Sequence, residues 1–208
     1  MSLTQRFAVQ ILIALIHWSR NNVIHWDLKP ENILLKRINK SGIKIIDFGS
    51  GWFSDKRIYT YIQSRFYRAP EIVLGIPYGV EIDMWSFGWI IWELDTGWPI
   101  FPWENEEELI LSMQEYIGIP PEYILKKSIT KSKFYDEFGN PLTYITNKGK
   151  KTVPNSKTIK EFLTTKDDDF IDFIEKWIWW DPQKRLKCED AFKHPWISHF
   201  IDNLKVSI

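Results

Sequence analysis

One cysteine, Cys188, and four histidines are the whole supply of soft metal-binding and redox side chains in 208 residues. An internal disulfide is therefore excluded, a zinc-type cluster lacks ligands, and the lone thiol fits a reducing compartment. Net charge is lacking too. The 27 Lys+Arg balance 27 Asp+Glu, so no global field draws the chain to nucleic acid or to a membrane surface. No apolar stretch is long enough to span a bilayer. The apolar run Phe7 to Ile16 is interrupted by Gln10, and His17-Trp18-Ser19-Arg20 offers no small-residue cleavage site, which argues against a signal peptide. The expected location is intracellular, cytoplasmic and/or nuclear.

What is present describes an ordinary globular chain, 44% hydrophobic and 26% charged, with a length suited to one domain and one core. Tryptophan is in excess: 12 residues, against roughly three from average usage.

The most informative stretch is His25-Trp26-Asp27-Leu28-Lys29-Pro30-Glu31-Asn32, followed at once by the strand-like Ile33-Leu34-Leu35. Such a loop can gather a general base (Asp27), a cation for a phosphoryl oxygen (Lys29) and an oxygen ligand for a hard cation (Asn32) at one point. Phosphoryl transfer needs that set, because its catalysis is mostly positioning and charge neutralisation. A polar turn, Lys36 to Gly42, then leads into Ile43-Lys44-Ile45-Ile46-Asp47-Phe48-Gly49. Two β-rich runs around an Asn/Ser/Gly turn predict a hairpin whose second strand delivers Asp47 beside Asp27.

With Ala69-Pro70-Glu71 downstream, the ordered set resembles the protein-kinase signature. Around the activation segment, taken as residues 47–71, the run Tyr59-Thr60-Tyr61-Ile62-Gln63-Ser64-Arg65-Phe66-Tyr67-Arg68 resembles the dual-specificity tyrosine-regulated (DYRK-like) kinases of the CMGC group. The resemblance implies a Ser/Thr protein kinase using ATP and Mg²⁺ on protein substrates. Asp27 and Lys29 would be catalytic, Asn32 and Asp47 would hold the metal, and Lys29, Asn32 and Asp47 would touch the nucleotide. Tyr61 would be the autophosphorylated tyrosine, paired with Arg65 and Arg68, since Trp26 replaces the usual arginine before the catalytic Asp27. Asp83 would accept hydrogen bonds from the catalytic-loop backbone, and Arg185 would pair with Glu71.

The implied fold is mainly α with short β-hairpins, the C-terminal lobe of the kinase-like fold. Nothing in residues 1–24 resembles a Gly-rich loop, a Val-Ala-Ile-Lys strand lysine or its partner glutamate. The N-terminal β lobe is therefore expected to be absent from this chain, which by itself should turn over little or no ATP. Two explanations remain open: a fragment of an active kinase, or a non-catalytic, pseudokinase-like module that binds partners. The intact Asp27, Asn32 and Asp47 favour the first.

Element signals are local. Ser2-x-x-Gln5 predicts a capping box opening a helix with Phe7, Ile11, Ala14, Leu15 and Trp18 on its inner face, ended by Asn21-Asn22. Gly79-Val80-Glu81-Ile82-Asp83-Met84-Trp85-Ser86 predicts the opening of an apolar helix through about Leu94, closed by Gly97 and Pro99, and the acids around Glu106 open another. Asp169 to Trp180 predicts an amphipathic helix with Phe170, Phe173, Ile174, Trp177 and Ile178 inward. Residues from about 118 to 154 resemble the CMGC insert and are expected to form a solvated loop, with partner docking as the alternative. Trp26, Trp52, Trp89 and Trp177 stand where DYRK-like kinases carry cysteine. Four indoles in place of four thiols are expected to overfill one core, which suggests that several are codons translated as Trp where the native protein has Cys; the alternative is that they are real and the chain is a decayed, poorly packed kinase relative.

Overall fold

The computed structural model describes residues 2–48, 52–53, 62–98, 105–163 and 165–206, with side chains left out at 52–53 and 202–206. Ser2 caps helix α1 (Leu3–Arg20). Its hydroxyl accepts from the Gln5 N–H while the Gln5 side chain reaches back to the Ser2 N–H, the reciprocal box that satisfies two otherwise orphaned donors. The buried face of α1 is Ala8, Ile11, Leu12 and Leu15, whereas Phe7, Ala14 and Trp18 are only partly covered. The expected stripe is thus rotated toward Ala8 and Leu12. Asn22, at φ 53°, turns the chain out of the helix in a conformation that asparagine tolerates well.

Strand β1 (Val23–Ile24) follows and pairs antiparallel with β4 (Trp52–Phe53), Val23 opposite Phe53 and Ile24 opposite Trp52. The predicted hairpin is β2 (Ile33–Leu35) with β3 (Ile43–Ile45), Ile33 opposite Ile45 and Leu35 opposite Ile43. Gln10 has a purpose inside its apolar helix. Its amide accepts from the Ile43 N–H at 3.0 Å and donates to the Ser41 carbonyl at 2.8 Å, pinning the hairpin to α1.

After the short helix α2 (Pro70–Val73), α3 (Glu81–Thr96) runs through the centre of the molecule. Every residue from Ile82 to Trp92 is buried, so this helix is apolar all round, the pattern of a core helix rather than a surface one. Gly97 ends it at φ 78°, the left-handed cap that glycine adopts without strain. Asn105 caps α4 (Glu106–Ile117) by accepting from the Glu108 N–H. The amphipathic helix α7 (Asp168–Glu175) is shorter than expected. Trp177 and Ile178 are inward as predicted, but in the turn after the helix ends. Helices α8 (Cys188–Ala191) and α9 (Pro195–Val206) complete the fold.

The segment expected to be a solvated loop is ordered on its inner side. It contains α5 (Glu122–Leu125), α6 (Lys131–Phe134) and two turns closed by the bridges Tyr135–Pro141 and Ile145–Lys151. Ile124, Leu125, Phe134 and Tyr135 are buried, the Tyr135 hydroxyl accepting from the Gln114 amide. Buried Glu115 on α4 ion-pairs with Lys157 just beyond the segment and with Lys150 inside it. Many of its other residues are exposed, Ile129, Phe138, Leu142 and Ile145 among the apolar ones.

The core also houses the indoles it was expected to reject. Trp26, Trp89 and Trp177 are each at most 5% exposed. Trp177 meets Phe87 and Phe173 edge-to-face at 5.2 and 5.3 Å between centroids, and Trp89 meets Trp85 the same way, geometries favoured by the ring quadrupole. Gly88 makes the room: a Cβ there would come within 2.9 Å of Trp177 Cβ. The Trp52 side chain lies outside the description.

Candidate active site

The loop after β1 owes its shape to a residue far away in sequence. Asp83, in the first turn of α3 and 2% exposed, accepts from the backbone N–H of His25 (Oδ2, 2.7 Å) and of Trp26 (Oδ1, 3.1 Å). Trp26 holds φ 72°, and the two bonds over-determine that otherwise disfavoured conformation. His25 is fully buried. Its Nδ1 accepts from the Asp27 N–H at 3.3 Å, which places the ring proton on Nε2, facing the Ile46 carbonyl at 3.0 Å. Burial lowers its pKa against that hydrogen bond, which keeps the ring neutral. One imidazole therefore ties the loop to the end of β3. Trp18 and Phe48 close around it, Phe48 edge-on to both rings at 4.6 and 4.8 Å.

Asp27 is the hub. Its Oδ2 accepts from Lys29 Nζ at 2.6 Å and its Oδ1 from Ser64 Oγ at 2.6 Å, while Lys29 Nζ also reaches Ser64 Oγ at 3.1 Å. Burial alone would raise the Asp27 pKa, but the hydrogen bonds from Lys29 and Ser64 outweigh it and leave the carboxyl below its ordinary value. Lys29 is shifted upward, first by the hydrogen bond to Asp27 and against its partial burial. Both groups are thus ionised at neutral pH. Asn32 closes the 3₁₀ turn Pro30–Asn32, its amide N–H donating to the Asp27 carbonyl at 2.7 Å and, more weakly, to Oδ2 at 3.4 Å. Its donors are spent on the loop, which leaves Oδ1 as the atom available to a cation. Asp47, exposed and at φ 67°, lies near enough for its charge to act on both His25 and Lys29.

A resident Mg²⁺ fits this donor set. One carboxylate and one amide oxygen are what a hard cation takes from protein when phosphate oxygens complete its shell. Among the described residues no group of three or more His, Cys, Asp or Glu could hold a metal by itself.

The remaining assigned residues are distributed as follows. Tyr61 and Gly49 lie outside the described residues. Arg65, itself exposed, opens the 3₁₀ turn Arg65–Tyr67, whose last residue is buried. Arg68 is 2% exposed and its fork is engaged, Nε with the Ile62 carbonyl, Nη2 with the Gln63 carbonyl and Nη1 with Glu106 at 3.2 Å. A phosphate reaching Arg68 would have to take the place of Glu106. Glu71 and Arg185 form a buried bidentate pair, 2.6 Å for each oxygen, with Arg185 also donating to the Trp179 carbonyl and covering the Trp85 ring at 4.8 Å.

Ser64 escaped the sequence reading. Ser64 lies in the run that resembles the DYRK-like kinases but was given no role there, and the return of its segment onto the loop reveals the contact. The local signal was slight: Ser64 is the sole hydroxyl in Ile62–Phe66.

Comparison with known proteins bears on the family. The protein kinase domain family model matches residues 1–197. The chain is similar to dual specificity tyrosine-phosphorylation-regulated kinase 4 of Homo sapiens, 44% identical over 205 residues, covering 99% of this chain and 39% of that protein. It is similar also to dual specificity tyrosine-phosphorylation-regulated kinase 2 of Drosophila melanogaster, at 45% over 95% of this chain and 27% of the relative. Serine/threonine-protein kinase ppk5 of Schizosaccharomyces pombe is 45% identical over 92% of this chain and 23% of its own length. The chain thus spans well under half the length of these relatives. With its family model, its relatives and its loop geometry in agreement, this chain belongs to the protein kinase family, as a DYRK-like member of the CMGC group.

Proposed function

We propose that this chain is the large lobe of a Ser/Thr protein kinase and provides the residues that move the γ-phosphoryl group of ATP to a protein hydroxyl. The observation that carries the reading is the engagement of both Asp27 oxygens, one by Lys29 and one by Ser64, with Asn32 locked onto the same residue. Asp27 orients the acceptor hydroxyl and receives its proton as the new P–O bond forms and the bond from the γ-phosphorus to the ADP leaving group breaks. Its lowered pKa makes orientation the larger contribution, with proton transfer late. Lys29, paired with Asp27 and Ser64, would neutralise charge on the phosphoryl oxygens. Asn32 and Asp47 would hold Mg²⁺, which when bound supplies charge neutralisation on the phosphates.

Tyr61 is proposed as a tyrosine autophosphorylation site. Arg65 would be the first contact of its phosphate, and Arg68 would join by exchanging Glu106 for the phosphate. Residues 47–71 then serve as the activation segment and 118–154 as the insert, whose exposed edge offers a place for partner docking. Substrates are proteins, with no nucleic-acid or membrane role proposed. Activity is assigned to the lobe completed by a nucleotide-covering β portion, and this chain alone should show little.

The test is calorimetric titration with Mg²⁺-ATP of this chain beside one extended upstream, followed by peptide phosphorylation. ATP binding and turnover by the extended chain, lost in Asp27→Asn and Asp47→Asn, are expected. Absence of both from the extended chain would replace the catalytic reading with a scaffold.

A further inference from the structure

Away from the catalytic loop, a cleft of about 540 Å³ opens between the end of α4, the start of α5 and the turn after α7. That volume lies within the range of ligand sites. Its floor is apolar, with Ile159, Ile178 and Trp180 all buried. At its mouth stand two half-exposed rings, Tyr123 at 42% and Trp179 at 45%. The ammonium of Lys184 lies over both, 5.8 Å from the Tyr123 centroid and 5.7 Å from that of Trp179. Two aromatic faces already hold a cation, and that cation comes from an exposed, flexible side chain of the chain itself.

The charges around the rings favour a cationic guest. Asp181 accepts from the Tyr123 hydroxyl at 2.8 Å, which fixes the ring and sets a carboxylate at its edge. Glu175, exposed on the cleft wall, has no ion-pair partner among the described residues. The other lysine of the cleft, Lys157, is neutralised by buried Glu115. Once Lys184 swings out, the mouth presents two rings and two carboxylates.

We propose that this cleft docks an arginine-bearing segment of a protein partner, the guanidinium replacing Lys184 over Tyr123 and Trp179. Arginine suits the site better than lysine, because its planar, weakly hydrated fork stacks on aromatic faces while still bonding to a carboxylate. Lys184 is then a placeholder: it covers the rings when no partner is present and competes weakly with any that arrives. The site uses none of the phosphoryl-transfer residues, so it stands or falls independently of the catalytic reading.

The test is fluorescence polarisation, without nucleotide, using a fluorescein-labelled Gly/Ser peptide with two central arginines. Its citrulline counterpart, equal in shape but neutral, is the control, alongside a glutamate version. Binding of the arginine peptide is expected to be about tenfold tighter than that of the citrulline peptide. Trp179→Ala should remove that preference, Trp179→Phe should retain most of it, and Lys184→Met should tighten binding. Equal binding of arginine and citrulline peptides would overturn the proposal. So would preference for the glutamate peptide, or weakening by Lys184→Met. Because Trp179→Phe keeps a ring, loss through misfolding in Trp179→Ala is distinguished from loss of the site.

Discussion

Asp83 Oδ2 accepts the backbone N–H of His25 at 2.7 Å across 58 residues of sequence. With the second bond to Trp26, a single carboxylate on the central helix sets the backbone of the loop that carries Asp27. The arrangement has a titration consequence. Complete burial pushes the Asp83 carboxyl up to about 7 from an ordinary 3.8, against the two N–H donors that favour the ionised form. Between those values the folded chain keeps a proton that the unfolded chain has released. This group's contribution to stability is therefore full below about 3.8, falls as pH rises toward about 7, and is flat above. His25 acts in the opposite sense, its depressed pKa making stability rise with pH up to about 6.5. Urea unfolding of wild type and Asp83→Asn at pH 5 and pH 8 separates them, since His25 titrates in both. The stability advantage of wild type should shrink at pH 8, and an advantage that grows would refute the assignment.

Ser64 holds one oxygen of Asp27 and touches Lys29. Ser64→Ala is expected to leave Mg²⁺-ATP affinity of the extended chain nearly unchanged and to lower kcat by about tenfold or more, the scale of a misplaced reacting group. Ser64→Thr keeps the hydroxyl and should restore most of the rate. An unchanged kcat in the alanine variant would remove Ser64 from the site.

Glu71 and Arg185 are 0% and 1% exposed at their side chains. Truncating one partner leaves the other charge buried and uncompensated, so Glu71→Ala should cost about 3–5 kcal/mol in chemical unfolding. The pair Glu71→Leu with Arg185→Met should cost much less than the two single changes added together, because neither charge remains. Simple additivity would mean that the two residues do not act as a unit.

Trp177 decides the question of the tryptophans. Its N–H is buried without an acceptor among the described residues, a cost of about 1–3 kcal/mol, yet its ring fills the space between Phe87 and Phe173. Emptying that space is the larger effect, so Trp177→Cys should destabilise by about 3 kcal/mol. A stabilising Trp177→Cys would show instead that the indole overfills its site and that cysteine is the native residue. The intact mass of protein from its natural source offers a second check, since each cysteine in place of tryptophan makes the chain lighter.

The sequence was legible where a local rule decides the outcome. Ser2 with Gln5, Gly97 and the turn before Ile43 each marked an element end or a hairpin, because caps and turns depend on a few adjacent residues. Asp27, Lys29 and Asn32 were legible because one short loop holds them all. It failed where contacts between distant segments decide. Trp177 and Ile178 keep the inward phase of α7 after the helix has ended, since burial continues the pattern through the following turn. Arg68, expected to pair with a phosphate on Tyr61, is enclosed by carbonyls and by Glu106 from another element. Nothing near residue 115 in sequence announced that a buried glutamate would anchor Lys150 and Lys157.

The clasp between Glu71 and Arg185 also has a consequence for the order in which the chain is made. The partners are 114 residues apart, so at about 5–20 residues per second the arginine is synthesised roughly 6–23 s after the glutamate. During that interval Glu71 has no guanidinium to meet, and Trp85 lacks the cation that covers its ring. A nascent chain stopped short of residue 185 therefore carries an unneutralised acid at the centre of its core, and quality control would meet an unfinished core in place of a shorter domain.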